Sequence, residues 1–251
     1  MLNGFETWQI AAIVGSFFVA GLVKGTMGVG LPMVAVPLIS MITGPASAIA
    51  LMVVPNLSAN GWQAVQAGHQ GAVFRRFWPM LLALVAGSLV GAQLLVLLDA
   101  HLVAGILGIV ILLFVALQVM PRRLTLKPKA ERRLNVPVGL AAGVIGGASS
   151  FFGPIVILYL VALDLAKELF VSTVALMFFV GMAPMFASLA VHGILGWDEL
   201  LASAVLGAVP VAAGLFIGRH LRKRIPQAVF KRVLLVILVL IAIGLIRESL
   251  G

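Results

Sequence analysis

The sequence predicts an all-α, polytopic integral membrane protein made of two inverted-topology repeats, and three observations lead there. Of 251 residues, 62% are hydrophobic and only 10% charged, with a mean hydropathy of +1.19. That leaves too little polar surface to coat a water-soluble globule. Apolar stretches recur from end to end, separated by short polar connections. A glycine-rich break, Gly21 to Pro32, returns 122 positions later as Gly143 to Pro154, with Gly21, Gly25 and Pro32 falling on Gly143, Gly147 and Pro154. Irregular backbone within a membrane is tolerated where protein or a water-filled cavity covers it, and paired breaks in two halves point to a transporter's substrate site.

Each half divides into five apolar segments. In the first they run roughly 8–23, 29–43, 45–67, 77–98 and 101–119, and in the second roughly 136–150, 152–165, 167–192, 198–218 and 228–246. The third, fourth and fifth of each set are long enough to span a bilayer, which takes about 20 residues at 1.5 Å rise. The first two, of about 14 to 16 residues, read as a Gly/Pro-broken helical hairpin of short or tilted helices. Residues 1–251 therefore form a single transmembrane domain: repeat one about 8–119, a basic cytoplasmic loop about 120–135, and repeat two about 136–246. Trp8 opens a retained first segment, since Met1–Thr7 carries no Lys or Arg of a signal-peptide start.

Basic residues set the expected orientation. Arg75 and Arg76, the central loop from Arg122 to Arg133, Lys167, and the last loop from Arg219 to Arg232 hold 15 of the 17 Lys and Arg. Alternating spans put all of them on one face, which the positive-inside rule assigns to the cytoplasm. Glu6, Asp99, Asp198, Glu199 and Glu248 then fall opposite, both termini lie on the non-cytoplasmic side, and the repeats are inverted. The location predicted is the cell inner membrane, crossed many times.

Other classes fit poorly. A net charge of +9 would suggest nucleic acid in a soluble protein, but here the charges sit between apolar segments and serve orientation. There are no cysteines, hence no disulfide, thiolate metal site or cysteine nucleophile. An H-E-x-x-H zinc motif, a G-x-S-x-G elbow and an intramembrane aspartate pair are all missing from the sequence. The chain is not expected to be an enzyme, and no cofactor or metal is expected. His69, His101, His192 and His220 fall near segment ends. Partners are a small anionic substrate and the bilayer; a coupling proton or ion and homodimerisation stay open.

Candidate contacts cluster at the breaks. Pro32 and Pro154 suit a helix start, where free N–H groups and the positive dipole end favour an anion. Gly25, Gly28 and Gly30 let backbone approach a ligand, as do Gly147 and Gly153 at the second tip. Thr26 joins the first tip; Ser149 and Ser150 add hydroxyls to the second, beside Phe152. Tight packing or a simple kink is the alternative use of these glycines. Lys24 is the one charge inside an apolar stretch, either attracting an anion or snorkelling to the interface. In the third segment Pro55 would free carbonyls by kinking the helix. Asn56, Asn60 and Gln63 share one helical face, serving either a substrate path or helix-to-helix hydrogen bonds. Gly87-x-x-x-Gly91 and Gly214-x-x-x-Gly218 occupy matching fourth segments and read as intramolecular packing motifs.

These residues resemble the TauE/SafE sulfite exporter family, also called the four-toluene-sulfonate uptake permeases. The resemblance runs from Ile10 to about Ile246 and rests on Gly21 through Pro37, on Gly143 through Pro154, and on the basic central loop. The family's glycine-rich turn followed by proline is matched by Gly28-Val29-Gly30-Leu31-Pro32; the run through Asn60, Trp62 and Gln63 also looks like one branch of it. Leu31 and Pro32 stand where relatives have glycine, and Phe151-Phe152 makes the second tip bulkier. What the resemblance implies is a permease for sulfite or an organosulfonate. Taken together, the reading is a secondary anion transporter working by alternating access, its oxyanion held by helix ends at the two tips. A permease for another small anion such as a carboxylate, or a non-transporting scaffold subunit, is the alternative.

Overall fold

The apolar stretches fold as helices because a backbone shielded from water must satisfy its own N–H and C=O groups. The computed structural model describes residues 6–27, 30–119, 126, 128–221 and 227–250. In the first half lie α1 (Thr7–Met27), α2 (Leu31–Thr43), α3 (Pro45–Leu51), α4 (Val53–Ala67), α5 (Gln70–Leu97) and α6 (Ala100–Val119). In the second lie α7 (Pro128–Ser149), α8 (Gly153–Ala162), α9 (Lys167–Val191), α10 (Trp197–Ala202), a π-helical stretch Ser203–Ala208, α11 (Val209–Leu221) and α12 (Gln227–Leu250). Among the described residues there is no strand, and five helices are long and apolar enough to cross a membrane. The chain is an all-α polytopic membrane protein.

Four expectations are corrected. The first segment of each half is not short: α1 has 21 residues and α7 has 22. Hydropathy placed the start of α7 too late because its opening turns carry Lys129, Glu131, Arg132 and Arg133, good helix formers with Pro128 as the first residue. Arg75 and Arg76 likewise lie within α5 and not in a connecting loop. The third segment of the first half is split at Met52 into helices of 7 and 15 residues, too short to span singly. Pro32 and Pro154 are each the second residue of their helix, not the first.

The helices fall into two compact units, each drawing on both halves of the sequence. One comprises Met1–Asn56, Leu98–Val115 and Leu189–Gly251; the other comprises Leu57–Leu97 and Ala116–Ser188. The first is centred on α1 packed along α11, the second on α5 packed along α7.

Glycine makes both pairings possible, since lipid tails are as apolar as leucine and association depends on close van der Waals approach. In the first unit Gly214 lies against the Phe18 carbonyl, and a Cβ there would come within 2.8 Å of the Leu22 nitrogen; Gly218 follows against the Leu22 carbonyl. In the second, Gly87 lies against the Leu140 carbonyl, with a Cβ 2.9 Å from the Val144 nitrogen, and Gly91 follows against the Val144 carbonyl. Phe18 and Leu22 precede Leu140 and Val144 by 122 positions, and Gly214 and Gly218 follow Gly87 and Gly91 by 127. The same parallel helix pair is thus built twice, each time from the first apolar segment of one half and the fourth apolar segment of the other. The expected packing role of the two Gly-x-x-x-Gly motifs is what these contacts display.

Candidate functional site

The first hairpin tip lies between α1 and α2. Gly30 is the N-cap of α2 with φ of 104°, a left-handed conformation that glycine takes without steric cost. Gly28 lies outside the described residues. Lys24, Gly25 and Thr26 are buried in the last turn of α1, where a cation also complements the negative end of the helix dipole. The Thr26 hydroxyl donates to the Leu22 and Val23 carbonyls at 3.0 and 2.9 Å. Its proton is therefore committed to its own helix, and only its lone pairs face outward chemistry.

The second tip, between α7 and α8, is built differently. The Ser149 hydroxyl donates to the Ile145 carbonyl at 2.5 Å and accepts the Phe151 N–H at 3.2 Å. Ser150 has φ of 64°, unfavourable for a residue with a Cβ. Its side chain is 1% exposed, and its oxygen has no hydrogen-bond partner. Buried orphan polar atoms are uncommon and strained backbone gathers at ligand clamps, so this residue carries two marks of a binding position. The buried Phe152 ring lies across Gly146 and against Gly181, where any Cβ would enter it, and stands 6.4 Å from the Phe178 ring. Gly147 packs on Ser88 of α5, and Gly153 is the first residue of α8.

The third element is the break before α4. Pro55 has no N–H to offer the Leu51 carbonyl one turn back. The Ser203 hydroxyl replaces it, donating to that carbonyl at 2.7 Å, while the Val54 N–H donates to the Ser203 oxygen at 3.0 Å. Gly207, one turn on in the π-helical stretch, faces the Pro55 ring, and a Cβ there would lie 2.6 Å from the ring carbon Cγ. Pi-helical turns are rare and gather at functional sites.

Asn56, next to this break, is fully buried, with neither its amide nitrogen nor its oxygen hydrogen-bonded. Asn60 is buried one turn on, its amide 3.7 Å from the Met182 sulfur. Gln63 continues the same face half-buried, and Trp62 is exposed.

Lys24, Gly25, Thr26 and Gly30 are brought together at the first tip. Ser149, Ser150, Phe152 and Gly153 meet at the second, with Gly147 half a turn before it. Sequence reasoning missed Ser203 and Gly207, because nothing in a run of small and apolar residues marks a π turn. It also missed Ser88, whose hydroxyl donates to the Gly181 carbonyl at 2.6 Å in the turn preceding Pro184; a serine matched to an internal proline was the available signal. Among the described residues no group of three or more His, Cys, Asp or Glu could hold a metal. The uncommitted polar groups are the Ser150 hydroxyl and the Asn56 amide, and helix starts add backbone N–H donors. A family model for the sulfite exporter TauE/SafE matches residues 13–245. Comparison with curated proteins and with solved structures returned no match.

Proposed function

Since the chain belongs to the sulfite exporter TauE/SafE family, we propose that this membrane permease is a secondary transporter for sulfite or an organosulfonate, working by alternating access. It resides in the cell inner membrane with both termini on the non-cytoplasmic side, its halves inverted relative to each other. The observation that carries the reading is Asn56: a fully buried amide with both polar atoms unbonded, beside a proline break. Such an amide costs stability unless a ligand completes it. Ser150 supports the reading independently, and each tip, taken by itself, offers a helix start to an anion. Lys24 supplies the positive charge that draws the substrate in, with Asn60 and Gln63 as further contacts along the α4 face.

Counterflow in proteoliposomes tests this. Vesicles are loaded in turn with sulfite, sulfoacetate, taurine, an aromatic sulfonate, sulfate and a carboxylate, with Lys24→Ala alongside. Saturable exchange confined to sulfur oxyanions, weakened in the variant, is the expected result. Exchange of carboxylates alone, or of nothing, overturns the substrate assignment. Unchanged exchange in Lys24→Ala removes that residue from the mechanism.

A further inference from the structure

One cleft in the second unit lies at the opposite end of α7 from that unit's hairpin tip. It has a volume of about 640 Å³ and is lined by Arg75, Arg76 and Trp78 of α5 and by Glu131, Arg132 and Asn135 of α7. These helices run parallel, Gly139 against Met80 and Gly143 against Leu84, so their starting turns and their arginines share one end. At 1.5 Å per residue, the 28 residues of α5 reach about 42 Å. That exceeds the hydrocarbon thickness of about 30 Å, and the first two turns of α5 belong at headgroup level.

The cleft is organised around one fixed guanidinium. Arg76 donates to both Glu131 oxygens, from Nε at 2.7 Å and from Nη2 at 2.9 Å, which leaves three of its five N–H donors unspent on that carboxylate. Tyr159 donates to Asn135 Oδ1 at 2.7 Å and to the Glu131 backbone carbonyl at 3.1 Å, anchoring the α7 wall. Among the described residues Arg75 and Arg132 have no ion pair. One acid is set against three arginines, and the surplus charge is positive.

Apolar surface continues from both unpaired arginines. On α5, Arg75 is followed three and seven residues on by Trp78 and Leu82, exposed by 58% and 62%; on α7, Arg132 is followed at four-residue steps by Val136 and Leu140, exposed by 50% and 45%. A free anion has no use for such tracks, whereas acyl chains do. Tryptophan at this level is the usual headgroup anchor, and basic pockets between membrane helices hold anionic lipid headgroups.

We propose that this cleft binds the phosphodiester of an anionic phospholipid, with Arg75, Arg76 and Arg132 on the phosphate and the two apolar tracks along its chains. Native mass spectrometry of the detergent-purified full chain tests it, using phosphatidylglycerol, phosphatidylcholine with the same acyl chains, and inorganic phosphate as competitor. Retention of phosphatidylglycerol over phosphatidylcholine is expected, with affinity falling roughly fivefold for each of Arg75→Gln and Arg132→Gln. Arg133→Gln makes the same charge change on an exposed residue outside the cleft and is expected to leave retention unchanged. Equal retention of the two lipids, full retention when Arg75→Gln and Arg132→Gln are combined in one chain, or an equal loss in Arg133→Gln overturns the proposal. Displacement of phosphatidylglycerol by inorganic phosphate alone makes the cleft a free-anion site and overturns its assignment to lipid.

Discussion

Ser203 stands in for the missing N–H of Pro55, donating its hydroxyl to the Leu51 carbonyl at 2.7 Å from a helix far along the chain. The same oxygen accepts the Val54 N–H at 3.0 Å, so one side chain bonds backbone groups on both sides of Met52. Ser88 makes a comparable bond to Gly181 before Pro184 in the other unit. In each case a fourth-segment serine of one half steadies a proline-bearing third segment of the other.

Replacing Ser203 by Ala leaves the Leu51 carbonyl and the Val54 N–H without this partner in a buried setting. Interhelical hydrogen bonds in membranes contribute about 0.6 to 2 kcal/mol, and with two such bonds lost together the upper part of that range applies. Thermal unfolding in detergent is expected to show a loss of about 1–2 kcal/mol. An unchanged midpoint would mean that the break is held by packing alone.

Asn56 separates binding from folding. Both polar atoms of its side chain are buried without a partner, so Asn56→Ala removes an unfavourable desolvation along with some packing. Stability is expected to hold to within about 1 kcal/mol, the two terms opposing each other. Anion exchange in proteoliposomes is expected to fall about tenfold or more, as when a hydrogen bond of about 1.4 kcal/mol or more is lost. A destabilised variant with normal exchange would make Asn56 a packing residue.

Glycines of the same helix sort by what they touch. A Cβ at Gly91 would meet the backbone of Val144 and Ala148, which cannot rotate away, while one at Gly71 has nothing within 4 Å. Gly91→Ala is therefore expected to cost about 1–3 kcal/mol or to prevent folding. Gly71→Ala is expected to be neutral or to stabilise by up to about 1 kcal/mol through helix propensity. Equal midpoints for the two variants would refute the parallel α5–α7 contact.

Most of the fold was legible because a membrane helix announces itself by length and apolarity, and because Gly and Pro punctuate the breaks. The Gly-x-x-x-Gly pairs were legible for the same reason, small residues having a direct steric use. Where charge entered a helix the reading stopped short: Arg75, Arg76 and Arg132 look like loop until Glu131 is seen to neutralise one of them and α5 to outrun the hydrocarbon. The split at Met52 was misplaced toward Pro55 because proline disturbs the turn before it. Ser203 was illegible, since its role exists only through a partner more than 140 residues away. At the tips, residue types could nominate Ser149 and Ser150 together. Only geometry separates the first, bonded within its helix, from the second, which is buried with its hydroxyl open.

That separation makes Ser150 the most discriminating position at the second tip. Its φ of 64° costs an L-residue about 1–2 kcal/mol, and glycine adopts this conformation without that strain while adding freedom to the unfolded chain. Ser150→Gly is therefore expected to keep or raise the unfolding midpoint, whereas Ser150→Val, branched at Cβ, is expected to lose about 1–3 kcal/mol. If the hydroxyl serves the anion, Ser150→Gly loses exchange about tenfold despite its sound fold, while Ser149→Ala, deprived of a bond within its own helix and of a contact to the Phe151 N–H, loses stability first. Full exchange in Ser150→Gly would assign the strained turn to hairpin geometry alone and remove the hydroxyl from the binding site.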